Sequence, residues 1–198
     1  MGRLVYTSIG SLDGYVADTT GDFDWSAPDE EVHAYLNARD RDVVAELYGR
    51  RLYDVLKVWE TYGTAPDAHP VEREYGELWR ARDKVVYSRT LTAVRTSHTR
   101  LERSFDPEQV RRFVDEADGD VGIGGPGLAA VALRAGIVDS VEYYACPVII
   151  GGGTPWLPDG LRLPLRLVEQ HRFTGGVVHL AYAVEPHAPA QAPTEESP

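Results

Sequence analysis

The segment Asp120-Val-Gly-Ile-Gly-Gly-Pro-Gly-Leu128 constrains this chain more than any other: a short apolar run enters a glycine cluster and leaves through the helix-like Leu-Ala-Ala-Val-Ala-Leu-Arg. Glycine lets a main chain turn sharply and approach a ligand without interference from a Cβ, and Pro126 has the fixed φ that suits a first helical position. The unpaired N–H groups and positive dipole end of such a helix favour an anion. Gly122, Gly124 and Gly127 also satisfy G-x-G-x-x-G. By itself that pattern describes a phosphate cradle and a plain tight strand-to-helix turn equally well.

The rest of the chain sets the frame. Its 198 residues, 43% hydrophobic and 26% charged, suit one folded domain over 1–186, followed by a Pro/Ala/Glu-rich tail over 187–198 that is expected to be disordered. No apolar run approaches membrane-spanning length and the N-terminus carries no cleavable signal pattern, so the expected location is the cytoplasm. Cys146 is the single cysteine, which excludes an intrachain disulfide, and its apolar neighbours suit a buried strand. With 20 Lys and Arg against 31 Asp and Glu, the net charge of -11 repels a nucleic-acid backbone, and no basic stripe offsets it. The six histidines have no partners at metal-ligand spacing, so no metal is expected.

Pattern and turn chemistry give the order of elements. Strands are expected over Leu4 to Ile9, Tyr15 to Ala17, Val43 to Tyr48, Lys84 to Ser88, His98 to Leu101 and Val138 to Cys146, with a closing hairpin of Leu163 to Phe173 and Val177 to Val184 around Gly175-Gly176. Val43 to Tyr48 suits helix or strand by pattern; the abrupt stop at Gly49 favours the strand. Helices are expected from the S-x-x-D start at Ser26-Ala-Pro-Asp29, with Val32, Tyr35, Leu36 and the Arg39 stem facing inward, over Arg50 to Trp59, over Val71 to Arg82, and from Asp106-Pro107 to about Asp118. Strands alternating with helices, then two strands in succession, point to an α/β fold. It has a mainly parallel sheet, helices on both faces and an antiparallel edge.

In such a sheet ligands bind beyond the carboxyl ends of the strands. Gly49-Arg50-Arg51, Ser88-Arg89-Thr90 and Gly124-Gly125-Pro126-Gly127 all fall there, and arginines at two such ends in an acidic protein offer local compensation for a polyanion. Each segment taken singly is also an ordinary solvated turn. The chain's motifs are Ser11-Leu-Asp-Gly14, Phe23-Asp-Trp25, Tyr48-Gly-Arg-Arg-Leu-Tyr53, Val86-Tyr-Ser-Arg-Thr90, Ile123-Gly-Gly-Pro-Gly-Leu128 and Pro147-Val-Ile-Ile-Gly-Gly-Gly-Thr-Pro155. In order and spacing, over residues 3 to 184, they resemble the dihydrofolate reductase-like superfamily. The closer likeness is to its branch related to the C-terminal reductase domain of the bifunctional riboflavin-biosynthesis deaminase-reductase.

That resemblance implies a three-layer fold around a mostly parallel, eight-stranded mixed sheet, an NADPH cofactor, and a homodimer as in many members. Carried over by position, Gly49, Arg50 and Arg51 open the helix facing the cofactor phosphates, and Ser88, Arg89 and Thr90 hold the region of the adenosine 2′-phosphate. Gly124, Gly125, Pro126, Gly127 and Leu128 cradle the pyrophosphate, while Ile9, Val16 and Ala17 line the nicotinamide. Leu52 departs from the threonine that the family often has there, which removes one side-chain phosphate contact. A Rossmann reading would assign the ribose to Glu142, about 20 positions after the glycines. Glu142 falls inside a strand rather than at its end, and too little chain follows the glycines to complete a doubly wound half-domain and a substrate region.

For the acceptor side, Asp13 and Glu30 are the proton-handling candidates, and Trp25 and Asp29 the substrate contacts. Each also has a plainer role: Asp-Gly marks a turn, acids favour a first helical turn, and tryptophans fill cores. Of Tyr143 and Tyr144, which alternate on a strand, one is expected to face the cleft. The implied activity is hydride transfer from NADPH to a small heterocyclic substrate, pyrimidine- or pterin-like, or to a carbonyl. The alternatives are genuine dihydrofolate reduction, ranked lower because the segment from Trp25 to Tyr35 is unusually acidic, and a noncatalytic nucleotide-binding module. Deamination would need a zinc signature of His and Cys that this sequence lacks.

Overall fold

The computed structural model describes residues 2–65 and 67–185, so the expected tail lies outside the described residues. The strands are β1 (Leu4–Ser11), β2 (Tyr15–Ala17), β3 (Val43–Gly49), β4 (Asp83–Tyr87), β5 (Thr99–Glu102), β6 (Asp120–Gly124), β7 (Ser140–Cys146), β8 (Thr154–Pro155), β9 (Leu165–Arg172) and β10 (Val178–Val184). The helices are α1 (Glu30–Asp40), α2 (Arg50–Leu56), α3 (Pro70–Ala81), α4 (Pro107–Glu116) and α5 (Pro126–Arg134), with 3₁₀ turns at Asp24–Ser26 and Lys57–Glu60. No helix among the described residues is long and apolar enough to cross a membrane.

Eight strands form one sheet in the order β5-β4-β3-β6-β1-β7-β10-β9, and β2 pairs with β8 apart from it. The strands from β5 to β7 run parallel, while β10 is antiparallel to both β7 and β9. From β1 the chain crosses to β3 on one side, and from β6 it crosses over β1 to β7 on the other. The order therefore reverses around β1 and β6, and the carboxyl ends of all the parallel strands share one edge, where open α/β sheets bind ligands.

Alternation along the strands divides the core in two. Leu4, Tyr6, Leu47, Val85, Ile123 and Val141 point to the face covered by α4 and α5, whose Val110, Val114, Ala129 and Leu133 complete the larger cluster. On the other face Tyr48 and Val86 meet Tyr53 of α2 and Trp79 of α3, while Val32 of α1 packs with Tyr144 and Phe173. This second face also buries charge. Arg39 of α1 bonds Glu142 at 2.7 and 3.1 Å and Glu169 at 2.8 Å, and the fully buried His179 lies 3.1 Å from Glu142. Buried Asn37 donates to the Val71 carbonyl at 2.8 Å, joining α1 to α3.

Two expectations change. The helix after the second strand begins at Glu30 with Asp29 as its cap, accepting from the Val32 N–H at 2.9 Å, and not at Ser26. Ala27 precedes a proline and is extended at φ -58°, ψ 123°, so no helix can run through it, and the Ser26 hydroxyl instead donates back to the Phe23 carbonyl. The glycines of G-x-G-x-x-G also divide by role. Gly122 and Gly124 lie within β6, where a Cβ would overlap the Glu46 carboxyl and the Leu52 side chain respectively, so their smallness serves packing; the turn itself is carried by Gly125.

Candidate functional site

Three of the sequence segments meet at the carboxyl edge of the sheet. Gly125 directly follows β6 with φ +89°, a conformation open to glycine at little cost, and caps α5, its carbonyl accepting from the N–H groups of Leu128 and Ala129 at 3.1 and 3.0 Å. A Cβ on Gly127, in the exposed first turn of α5, would meet nothing within 4 Å. Gly49, at the end of β3, lies against this turn: its Cβ position is 3.6 Å from the Leu128 Cβ, and that of Gly125 is 3.5 Å from the Leu52 Cβ. Beyond β4, the buried Ser88 hydroxyl accepts from the N–H groups of Thr90 and Leu91 at 3.3 and 3.0 Å, forming a turn that leaves Arg89 and Thr90 exposed. Arg50 then bridges the two ends by donating to the Thr90 hydroxyl at 2.7 Å.

Arg51 and Arg89 are exposed, and among the described residues neither guanidinium has an acceptor. A glycine turn with open space before it, the Gly127 N–H in the first turn of α5 and two guanidinium groups free among the described residues fit the phosphates of a dinucleotide. Leu52 leans over Gly124 and supplies an apolar surface in place of a hydroxyl. Depressions of about 470 and 340 Å³ lie elsewhere. The first is at the amino edge, where Arg3 is paired with Asp120, and the second is beside α4. Neither joins the carboxyl ends of the parallel strands.

β1 adds a residue that the sequence reading missed. Thr7 is exposed although its strand is central, and Ile9 is half-buried at the margin of the cluster around Val32 and Tyr144. Because Tyr6 faces α4 and α5, Thr7 faces the opposite layer, and its exposure marks an opening in that layer above β1. A strand buried on both faces reads as a continuous apolar run. The polar pair Thr7-Ser8 interrupting Leu-Val-Tyr…Ile was the available signal.

The other expected residues occupy two places near this edge. Asp13 lies in the turn between β1 and β2, where its carboxylate accepts from the Gly151 and Ile150 N–H groups at 2.8 and 3.2 Å. Hydrogen bonds from Ser11 and from these backbone groups hold it below the usual carboxylate range, so it is an anion clamping the glycine-rich loop. Val16 and Ala17 are half-buried in β2, which that loop joins through β8. Asp29 caps α1, and Glu30 is exposed in its first turn, 3.8 Å from His69. Trp25 lies half-buried in the 3₁₀ turn packed on β1, and its buried indole N–H has no hydrogen-bond partner among the described residues. Trp59 packs with Tyr75 and Tyr62 at 4.7 and 5.1 Å. Tyr143 stacks on Trp156 at 4.2 Å and donates to the Ser11 carbonyl, while Tyr144 is fully buried, so the opening over β1 is not lined by an exposed ring of this pair.

The mixed sheet, its antiparallel end and this edge define the dihydrofolate reductase-like fold. Solved structures of that shape include a putative riboflavin biosynthesis protein from Shewanella sp. PV-4, with a TM-score of 0.72 and 18% identity over 93% of this chain and 99% of that one. A pyrimidine reductase-like protein from Corynebacterium diphtheriae matches with a TM-score of 0.65 and 16% identity over 94% and 93%. Dihydrofolate reductase from Enterococcus faecalis, complexed with NADP(H), matches at 0.59 and 12% over 93% and 98%. The model of the RibD C-terminal domain matches residues 3–179, and the chain belongs to that family, a reductase family. Among curated proteins it is 27% identical over 184 residues to the uncharacterized protein YyaP of Bacillus subtilis, covering 91% of this chain and 94% of that protein.

Proposed function

We propose that this protein is a cytoplasmic NADPH-dependent reductase acting on a small heterocyclic or carbonyl acceptor, with a pyrimidine- or pterin-like ring the foremost class. The observation that carries the reading is the meeting of the β3, β4 and β6 ends, where a glycine turn opens α5 beside two guanidinium groups without acceptors among the described residues. Membership of the RibD C-terminal domain family supports it, and the solved relatives include a pyrimidine reductase-like protein and an NADP(H) complex.

When bound, the reduced nicotinamide supplies the hydride. The first turn of α5, from Gly125 to Leu128, receives the pyrophosphate, and Arg51, Arg89 and Thr90 hold the 2′-phosphate, whose recognition calls for charged and often bidentate donors. Ile9, Val16 and Ala17 line the nicotinamide. Thr7 forms the floor of the acceptor opening, and the half-buried Trp25 ring packs against the acceptor ring. Glu30 is assigned proton delivery, because Asp13 is committed as an anion to the loop it clamps.

The test is NADPH oxidation with aminopyrimidinones, pterins, dihydrofolate, quinones and aldehydes as acceptors. Turnover of a pyrimidine or pterin that falls in Glu30→Gln is expected. Useful turnover of dihydrofolate, abolished by Glu30→Ala, would identify a genuine dihydrofolate reductase, and NADPH binding without any turnover would identify a noncatalytic module.

A further inference from the structure

Charge is distributed unevenly along this chain. Between Arg3 and Arg39 it has seven Asp and Glu residues and no Lys or Arg. That stretch supplies β1, β2, the 3₁₀ turn at Asp24–Ser26 and most of α1, and these border the opening at Thr7: the 3₁₀ turn packs on β1, and Val32 in the first turn of α1 packs with Ile9 and Tyr144. Asp24, Asp29, Glu30 and Glu31 are exposed, the first beside Trp25 and the others at the start of α1. Asp29 caps α1, Glu30 lies 3.8 Å from His69, and Glu31 accepts from the Thr174 N–H at 2.9 Å. The Asp24 side chain has no hydrogen bond or ion pair among the described residues.

The cations on this side of the sheet are committed elsewhere. Arg39 is bonded to Glu142 and Glu169, and Arg82 to Asp40. Lys57 lies 2.8 Å from Asp54, Arg73 donates to the Ala68 carbonyl at 3.3 Å, and Arg80 donates to the Trp59 and Tyr62 carbonyls at 2.8 and 3.3 Å. Arg172 is exposed on β9, but it aligns through Val178 with Ala145, on the sheet face opposite to that of Tyr144. Arg51 and Arg89, free among the described residues, stand beyond the ends of β3 and β4, where the cofactor phosphates are assigned. Given the reductase reading proposed above, we infer that the acceptor carries no phosphate: the opening takes a neutral ring, or one bearing an amine, and turns away a phosphorylated acceptor. Recognition of a phosphate calls for guanidinium or ammonium donors, and one placed near Trp25 and the first turn of α1 would meet carboxylates instead. An amine at the same place would be attracted by them.

Matched acceptors test this: a ribosylamino-substituted aminouracil against its 5′-phosphate, and glyceraldehyde against glyceraldehyde phosphate. Each is assayed by NADPH oxidation and by calorimetric titration of the full chain with NADP⁺ present. The unphosphorylated member is expected to have a kcat/KM at least about 10-fold higher at low salt, and the gap is expected to close as added salt screens the carboxylates. Asp24→Lys, which changes an unbonded side chain, is expected to narrow the gap about 3-fold, and Asp24→Asn to narrow it less and to stand in if the lysine variant does not fold. Preference for the phosphorylated member, or a gap that neither salt nor a folded Asp24 variant changes, would overturn the inference. Equal turnover of both members would remove it and leave the reductase reading standing. Preferential binding of the unphosphorylated member without NADPH oxidation would do the reverse, and binding of neither member of either pair would overturn both.

Discussion

Gly125 and Gly127 stand two residues apart and carry separable tasks. Gly125 holds φ +89°, so Gly125→Ala strains the backbone and is expected to cost about 1–2 kcal/mol in urea unfolding. A Cβ on Gly127 meets nothing, so Gly127→Ala should leave stability unchanged or raise it by up to about 1 kcal/mol, as alanine does in helices. The same methyl group enters the space assigned to the pyrophosphate, and NADPH affinity should fall by about 10-fold, roughly 1.4 kcal/mol. Calorimetry and a thermal melt on the one variant separate these effects, and unchanged affinity would remove Gly127 from the cradle. Beneath β6, burial pushes the Glu46 carboxyl up to about 7, while Arg82, 3.5 Å away, and the Asp40 carboxyl it also binds pull in opposite directions. A folded carboxyl with a raised pKa retains a proton that the unfolded chain has released, so its contribution is complete below about pH 4.5 and is lost as pH rises through about 7. Glu46→Gln should therefore gain on the wild type by about 1–3 kcal/mol between pH 5 and 8. Parallel stability curves across that range would contradict it.

Among the elements, α1 is fastened by charge more than by an apolar stripe. Arg39 ties it to Glu142 on β7 and Glu169 on β9. Burial raises the Glu142 carboxyl, but hydrogen bonds from His179 and Arg39 outweigh this and hold it below the usual range. Arg39→Ala leaves that buried anion with the His179 contact alone and is expected to destabilise the fold by about 2–4 kcal/mol, measured by urea unfolding. A loss under about 0.5 kcal/mol would mean that the pair acts like an exposed surface bridge. The sequence made the inward side of α1 legible through Val32, Tyr35, Leu36 and the Arg39 stem, because helical spacing is local. It did not reveal Asn37 as buried, since that depends on the Val71 carbonyl being delivered by α3. The start of α1 was misplaced because Ser26 has the composition of a cap, and only the extended residue before Pro28 decides that it is not one.

For the whole molecule, alternating strands and helices made the layered fold readable, because six neighbouring strands are parallel and each needs a crossover. The carboxyl edge was readable for the same reason: Gly49, Ser88 and Gly124 end or directly follow their strands, and topology does the rest. The pairing of β2 with β8 was not, since Ala17 meets Thr154 only through a clamp between Asp13 and Gly151, residues remote in sequence. The central claim is that this edge is built for NADPH, and calorimetric titration with NADPH and NADH, for the wild type and for Arg89→Ala with Arg51→Ala, tests it most directly. The prediction is at least about 10-fold tighter binding of NADPH, lost in the variant as the charge-assisted bonds to the 2′-phosphate disappear. Equal affinity for the two nucleotides, or a preference that survives both substitutions, would contradict the account.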